Sequence, residues 1–262
     1  MTYCVAISVN DGLVLCSDSR TNAGPDMIST HSKMHVFKPT AGRLFVVLTS
    51  GNLATTQSII SRIEHDLEDP DAKTNLATVT KMVEAARYVS RVSREEQVHA
   101  QASTVNAGID TSASLVLGGQ IKGSSPAIYM LYSAGNFITD SDENPFLQIG
   151  ESKYGKPILD RILTRETALE DATRCVLVSM DSTIKSNATV GPPIEVLIYE
   201  KDSFDSDHFF RFCEDDLYLH EIRQRWNEAL KLAFAELPKF DWEKRGHTSP
   251  SNVLSINQET KK

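Results

Sequence analysis

The sequence lacks the features that mark membrane, secreted and nucleic-acid-binding proteins. None of its apolar runs approaches the ~18 residues of a membrane span. The N-terminus has no basic segment followed by a long apolar stretch, which a secretory signal requires. Lys and Arg number 27 against 35 Asp and Glu, a formal net charge of −8 without any dense basic stretch. Because nucleic acid binds a basic face, we expect a cytoplasmic protein with no nucleic-acid or membrane partner.

Metal-binding and disulfide patterns are also missing. The four cysteines are scattered along the chain, without a CxxC spacing: Cys4, Cys16, Cys175 and Cys213. This distribution predicts free thiols in a reducing compartment. The seven histidines show no HExxH pattern and are expected at surface or structural positions, among them His31, His35 and His65. We therefore expect neither a metal nor another cofactor.

One stretch comes close to a phosphate-binding loop. Residues 150–156 read Gly-Glu-Ser-Lys-Tyr-Gly-Lys, between a predicted strand and a predicted helix. A P-loop needs Ser or Thr after its lysine to bind Mg²⁺, and Pro157 has no hydroxyl. The same stretch lacks the final glycine of a serine nucleophile elbow. No nucleotide or serine-hydrolase site is predicted here.

Length and composition indicate a globular protein with one large core. The chain has 262 residues, 40% hydrophobic and 24% charged, with no internal repeat or dividing linker. We predict a single domain over residues 1–242 and a polar C-terminal tail over 243–262. Strands and helices come in groups rather than in βαβ alternation, which favours an α+β fold.

Local patterns predict the elements in order. Residues 3–9 and 13–18 are expected to form a hairpin around Asn10-Asp11-Gly12, because glycine tolerates positive φ in a tight turn. An acidic loop is expected at 139–145. Further strands are predicted at 33–37, 44–48, 114–119, 127–132, 146–149, 193–199 and 208–212. Helices are predicted at about 53–67, 76–102, 156–164, 168–185 and 215–237.

Thr2 carries the most suggestive chemistry in the chain. As an N-terminal residue it would hold a hydroxyl nucleophile and an α-amine base on one carbon skeleton. On its own, however, a threonine after Met1 is commonplace. Such a base needs a nearby ammonium that keeps the amine neutral, and a carboxylate that holds that buried ammonium. It also needs a backbone N–H aimed at the developing oxyanion, such as that of a glycine opening a helix.

Three residues downstream match those needs in order. Lys33 could supply the ammonium, Asp18 the carboxylate and Gly51 the oxyanion donor. Each also has an ordinary interpretation: Asp18 as a strand-end cap, Lys33 as a solvated charge, Gly51 as a turn residue. Their joint order, each at the end of a predicted strand, favours the catalytic interpretation.

These stretches resemble the proteasome-type peptidases of the N-terminal nucleophile hydrolase superfamily. The resemblance covers roughly residues 2–200 and is carried by Thr2, by residues 5–7 and 11–21, by Lys33-Met34 and by residues 50–57. Residues 1–5, 149–156 and 179–191 resemble a bacterial branch of this family.

The resemblance implies a fold, an assembly and a set of roles. The implied fold is a four-layer αββα sandwich, and the implied assembly is a ring or open spiral of identical subunits, in multiples of six or seven, around a proteolytic chamber. Thr2 would be the nucleophile, Lys33 and Asp18 its tuning pair, Gly51 the oxyanion donor, and Asp181 the later acidic residue near the amine. The substrate would be a peptide or unfolded protein. Because they flank the matched motifs, three residues are expected to line the substrate pocket: Thr21, Thr49 and Leu53.

Two departures from the family pattern bear on activity. Glu151 stands where proteasomal subunits have a serine, and an ionised carboxylate there would raise the pKa of the amine. Whether Ser152, Ser182 or Ser186 compensates stays open. No propeptide precedes Thr2, so activation would need only removal of Met1.

Three functions follow as alternatives. The first is a threonine peptidase that works through an acyl-enzyme. The second is an assembly-forming subunit with weak or no activity, and the third is a small-molecule amidase of the same superfamily. Nothing in the sequence identifies an unfoldase partner.

Overall fold

Two five-stranded antiparallel sheets form the centre of the fold. The computed structural model describes residues 1–22, 28–104 and 108–244. Within these residues its twelve strands and six helices come in groups, as predicted. The strands are β1 (Tyr3–Val9), β2 (Gly12–Asp18), β3 (Arg20–Asn22), β4 (Ile28–Thr30), β5 (Met34–Phe37), β6 (Arg43–Gly51), β7 (Ala113–Ile121), β8 (Ala127–Leu131), β9 (Phe137–Thr139), β10 (Phe146–Gly150), β11 (Ile194–Glu200) and β12 (Phe209–Phe212). The helices are α1 (Leu53–Glu68), α2 (Met82–Thr104), α3 (Lys156–Ile162), α4 (Leu169–Ser186), α5 (Leu217–Ala235) and α6 (Asp241–Lys244).

The first sheet has the order β10-β1-β2-β11-β12, and the second has the order β5-β6-β7-β8-β9. A separate pair, β3-β4, extends from the end of β2. The hairpin predicted around Asn10-Asp11-Gly12 is present, with Val9 paired to Gly12. In this register Cys4 lies opposite Ser17, so the start of β1 and the end of β2 are adjacent.

Three apolar clusters separate four layers. One lies between the two sheets and includes Ala6, Leu15 and Val46. A second joins the first sheet to α3 and α4, and a third joins the second sheet to α1 and α2. Every residue of β1 and of β2 is buried, because both faces of the first sheet are covered. The fold is therefore the αββα sandwich of the α+β class.

The chain separates into two compact units, Met1–Arg223 and the residues from Gln224 onward, so the boundary falls within α5. All four layers belong to the first unit. The predicted domain limits at 1–242 and 243–262 stay a prediction, and residues 245–262 of the predicted tail lie outside the described residues. In the parts of the chain that are described, no helix is long and apolar enough to cross a bilayer.

Some predicted boundaries shift for local reasons. The second long helix was expected from about residue 76, but α2 begins at Met82. The Asn75 side chain accepts hydrogen bonds from the N–H groups of Ala77 and Thr78, which fixes a turn instead of a helix. Leu76 and Val79 are nevertheless buried, so their apolar spacing reflects core packing without helical structure.

Candidate active site

Thr2 lies directly before β1, at the edge shared with β10. Only 8% of the residue is exposed. Its carbonyl oxygen accepts a hydrogen bond of 2.7 Å from the N–H of Glu151. Gly150 makes this approach possible: its φ is +83°, and an added Cβ would lie 1.9 Å from the Thr2 oxygen. The backbone after Thr2 is therefore held between two strands.

Asp18 ends β2 and faces the peptide bond that follows Thr2. Its Oδ1 atom accepts hydrogen bonds from the Tyr3 N–H at 3.0 Å and from Lys33 Nζ at 2.7 Å. The Gly191 N–H donates to Oδ2 at 3.3 Å. Burial raises the pKa of the fully buried Asp18 carboxyl, while the Lys33 ammonium and the two backbone donors oppose that rise. One carboxylate oxygen thus joins the Lys33 ammonium to the backbone beside Thr2.

Lys33 is buried although it carries a charge, and it lies just before β5. Besides Asp18, its Nζ donates to the Arg20 carbonyl at 2.7 Å. The Lys33 carbonyl accepts from the Thr49 N–H at 2.9 Å, which ties it to β6. An ammonium has three N–H donors, so one more is available to a group in the pocket. The predicted pair of Lys33 and Asp18 is therefore formed as a buried ion pair.

Gly51 ends β6 immediately before α1. Its φ is +113°, and an added Cβ would lie 2.3 Å from the Ser112 carbonyl oxygen, so no other residue fits without rearrangement. Asn52 caps α1 by accepting a hydrogen bond from the Thr55 N–H. Gly51 thus stands at the positive end of a sixteen-residue helix.

A single pocket of about 560 Å³ joins these groups. Thr2, Lys33 and Gly51 all line it, and so do the three residues expected to contact substrate: Thr21, Thr49 and Leu53. Met1 lines the same pocket and is 58% exposed. The structure therefore brings together all but one of the predicted site residues, with Asp18 directly behind the pocket wall.

The exception is Asp181, which lies on α4. Its Oδ1 atom accepts a hydrogen bond of 2.5 Å from Arg223 Nε. Within the described residues, no hydrogen bond or ion pair links Asp181 to Thr2, Lys33 or Asp18. Its role at the threonine amine stays a prediction.

Glu151 has partners of its own. The residue is 5% exposed, and its Oε2 atom accepts a hydrogen bond of 3.1 Å from Asn187 Nδ2. Lys153 Nζ lies 3.7 Å from its Oε1 atom. Both contacts stabilise the carboxylate, Lys153 from the same loop and Asn187 from the C-terminal end of α4. Among the described residues, Asn187 is the side chain that donates a hydrogen bond to this carboxylate, and compensation by Ser152, Ser182 or Ser186 stays untested.

Histidines were not predicted in the site. His31 and His35 nevertheless line the pocket, whereas the side chain of His65 is 71% exposed on α1. Thr56 and Gln57, from the first turn of α1, also line it. The predicted acidic loop at 139–145 is exposed at residue 139 and at residues 141–144, while Asp140 forms a 2.7 Å ion pair with Arg165. Across the described residues, no cluster of His, Cys, Asp and Glu could hold a metal ion.

Comparisons with known proteins agree with this architecture. The family model described as "Proteasome subunit" matches residues 2–199. Anbu (ancestral beta-subunit) from Yersinia bercovieri is 46% identical over 91% of this chain and 98% of that one, with a TM-score of 0.84. The Anbu complex from Pseudomonas aeruginosa, described as a helical assembly, is 45% identical over 91% and 98%, with a TM-score of 0.85. Anbu from Hyphomicrobium sp. strain MC1 is 41% identical over 91% and 99%, with a TM-score of 0.82.

A search of curated proteins gives no match. The family match covers most of the chain, and the structural neighbours span nearly its whole length. The chain therefore belongs to the proteasome subunit family and, within it, resembles the Anbu proteins.

Proposed function

We propose that the protein is an N-terminal threonine peptidase whose nucleophile is the Thr2 hydroxyl. The observation that carries the proposal is the buried chain of contacts from Lys33 Nζ through Asp18 Oδ1 to the Tyr3 N–H, at 2.7 and 3.0 Å, behind a pocket that Thr2, Lys33 and Gly51 line. A buried charge loses its hydration and destabilises the fold unless it is paired. Such a buried ion pair is therefore expected where the chemistry of a site requires it.

Removal of Met1 creates the base. While Met1 is attached, the Thr2 nitrogen is an amide and cannot accept a proton. After removal it is an α-amine, with a reference pKa of about 8. The Lys33 ammonium favours the neutral form of this amine through like-charge repulsion. The neutral amine then accepts the proton of the Thr2 hydroxyl as the oxygen attacks the substrate carbonyl.

The reaction proceeds through an ester of Thr2. The new C–O bond gives a tetrahedral oxyanion, which the backbone N–H at Gly51 and the positive end of α1 stabilise. Collapse breaks the C–N bond, and the protonated α-amine returns its proton to the departing amine. Water then attacks the ester as the α-amine takes its proton. The C–O bond to Thr2 breaks, the same proton returns to the Thr2 oxygen, and the carboxylic acid product leaves with the neutral amine restored.

The test combines intact mass with covalent labelling. We expect the purified chain to lack Met1 and to gain one equivalent of a peptidyl epoxyketone, an electrophile that reacts with the hydroxyl and the amine of an N-terminal threonine. The control is the same chain with a blocking residue retained before Thr2, which we expect to remain unlabelled. A chain that retains Met1, or a free Thr2 that takes up no label, contradicts the peptidase and favours the assembly-forming subunit.

We also propose a homo-oligomer of ring or open-spiral form. The helical assembly of the Pseudomonas neighbour supports it. So do the exposed apolar side chains of the second unit, which would need cover in water: Leu230, Leu232, Phe234, Leu237 and Phe240.

Sedimentation velocity tests the oligomer. We expect the wild type to sediment as a multimer and Phe234→Ser, which removes a 63% exposed ring, to shift it toward smaller species. Lys231→Ser is the matched control on the same helix and should leave the distribution unchanged. A wild type that sediments as a monomer at micromolar concentration contradicts the assembly.

A further inference from the structure

The substrate pocket has a half-buried histidine at its inner wall. His35 lies on β5 opposite Val47 of β6. Alternate strand residues share a face, and Phe37 packs in the cluster between the second sheet and its helices. His35 therefore faces α1, on the same side as Phe37, where it lines the pocket next to Thr2.

His35 is an uncharged hydrogen-bonding group at neutral pH. Burial lowers its pKa to about 4, because the imidazolium loses its hydration there. A neutral imidazole has one N–H donor and one acceptor nitrogen. Among the described residues, none forms a hydrogen bond or ion pair with this ring. Its polar atoms are therefore available to a substrate.

The rest of this wall is also polar and uncharged. Thr49 and Thr56 are buried, and the Thr56 hydroxyl donates to the Leu53 carbonyl at 2.9 Å, which leaves its lone pairs to accept. Gln57 adds a carboxamide. Leu53, in the same turn of α1, is the apolar side chain of this wall.

Both cations that line the pocket have partners in the protein. Lys33 is paired with Asp18, and the Arg20 guanidinium donates to the Ala188 carbonyl at 2.8 Å. Of the described residues that line the pocket, none carries a carboxylate. A cationic substrate side chain would therefore lose its hydration in the pocket without a carboxylate partner.

We propose that His35 is a specificity-determining residue and that the pocket selects substrates with an uncharged carboxamide, glutamine or asparagine, at P1, the residue whose carbonyl is attacked. This inference rests on the proposed peptidase function. A carboxamide offers two donors and one acceptor, which match a neutral imidazole, a hydroxyl and a second carboxamide. A leucine side chain would leave those groups desolvated without partners, and an ionised glutamate, which has no N–H donor, would leave the acceptor atoms of this wall unpaired.

Three epoxyketones that differ only at P1 test the inference: glutamine, leucine and glutamate. We expect the glutamine compound to label Thr2 about tenfold faster than either of the others, which corresponds to one or two well-formed hydrogen bonds. Rates are read from intact mass as a function of compound concentration. This ranking uses the wild-type protein and needs no variant.

Variants then assign the preference to His35. His35→Leu should reverse the order of glutamine and leucine, while His35→Gln, which keeps a neutral donor and acceptor, should preserve it. His65→Leu, at an exposed site on α1, is the matched control and should behave as wild type. If leucine or glutamate labels faster in the wild type, the inference is wrong while the peptidase stands. If none of the three labels a free Thr2, the peptidase itself is contradicted.

Discussion

Replacing Thr2 by alanine is expected to abolish both covalent labelling and peptide hydrolysis, lowering the rate by at least about a thousandfold. The change removes one oxygen and one methyl group from a residue that precedes β1. Its carbonyl contact with the Glu151 N–H, 2.7 Å in length, uses backbone atoms and is retained. The loss of rate should therefore come without loss of fold or assembly.

Thr2→Ser is the matched variant because it keeps both the hydroxyl and the α-amine. We expect it to retain labelling within about tenfold of the wild type, since serine lacks only the methyl group that restricts the hydroxyl rotamer. Measurements are single-turnover labelling by intact mass, with sedimentation velocity to verify assembly. Hydrolysis that survives Thr2→Ala unchanged would place the nucleophile elsewhere.

The layered fold was largely predictable because the strands of the first sheet carry strong local signals. The turn at Asn10-Asp11-Gly12 fixes the hairpin register, and that register alone brings the end of β2 beside the start of β1. The adjacency of Asp18 and the Thr2–Tyr3 peptide bond follows from it. Two residues sixteen positions apart could thus be placed together from sequence.

The positions of Lys33 and of the pocket-lining residues depend on tertiary packing more than the hairpin does. The hydrogen bond between the Thr49 N–H and the Lys33 carbonyl links segments whose packing no short pattern encodes. His35 was expected at a surface or structural position because the histidines show no metal-binding spacing. The four-residue strand that holds it is too short for its periodicity to indicate which face meets a helix. The contacts of Glu151 could not be predicted either, since its partner Asn187 caps the C-terminus of α4, 36 positions along the chain.

Removing the Lys33 ammonium should reduce activity and stability together. In Lys33→Met the Asp18 carboxylate stays buried without its partner, and we expect the free energy of unfolding to fall by about 3–5 kcal/mol at pH 8. We also expect labelling of Thr2 to fall at least about a hundredfold at neutral pH, because its amine loses the neighbouring positive charge.

The pH dependence of this variant has a definite sign. Burial already raises the pKa of Asp18, and loss of Lys33 removes the strongest opposing interaction, so the folded-state pKa rises further above the unfolded value. The folded state then binds more protons than the unfolded state, and stability falls as pH rises from about 4 toward the folded-state pKa. Lys33→Met should therefore be less impaired at pH 5 than at pH 8, by urea unfolding at fixed protein concentration.

The double variant Asp18→Asn with Lys33→Met separates the two effects. Without either charge, no uncompensated ion is buried, so most of the lost stability should return while labelling stays low. Lys156→Met is the exposed control: its pair with Asp160 is 2.6 Å long but half solvated, and such pairs contribute about 1 kcal/mol or less. If the double variant regains labelling along with stability, the ion pair serves only to hold the fold. If it regains stability alone, the buried charge of Lys33 is what the chemistry at Thr2 requires.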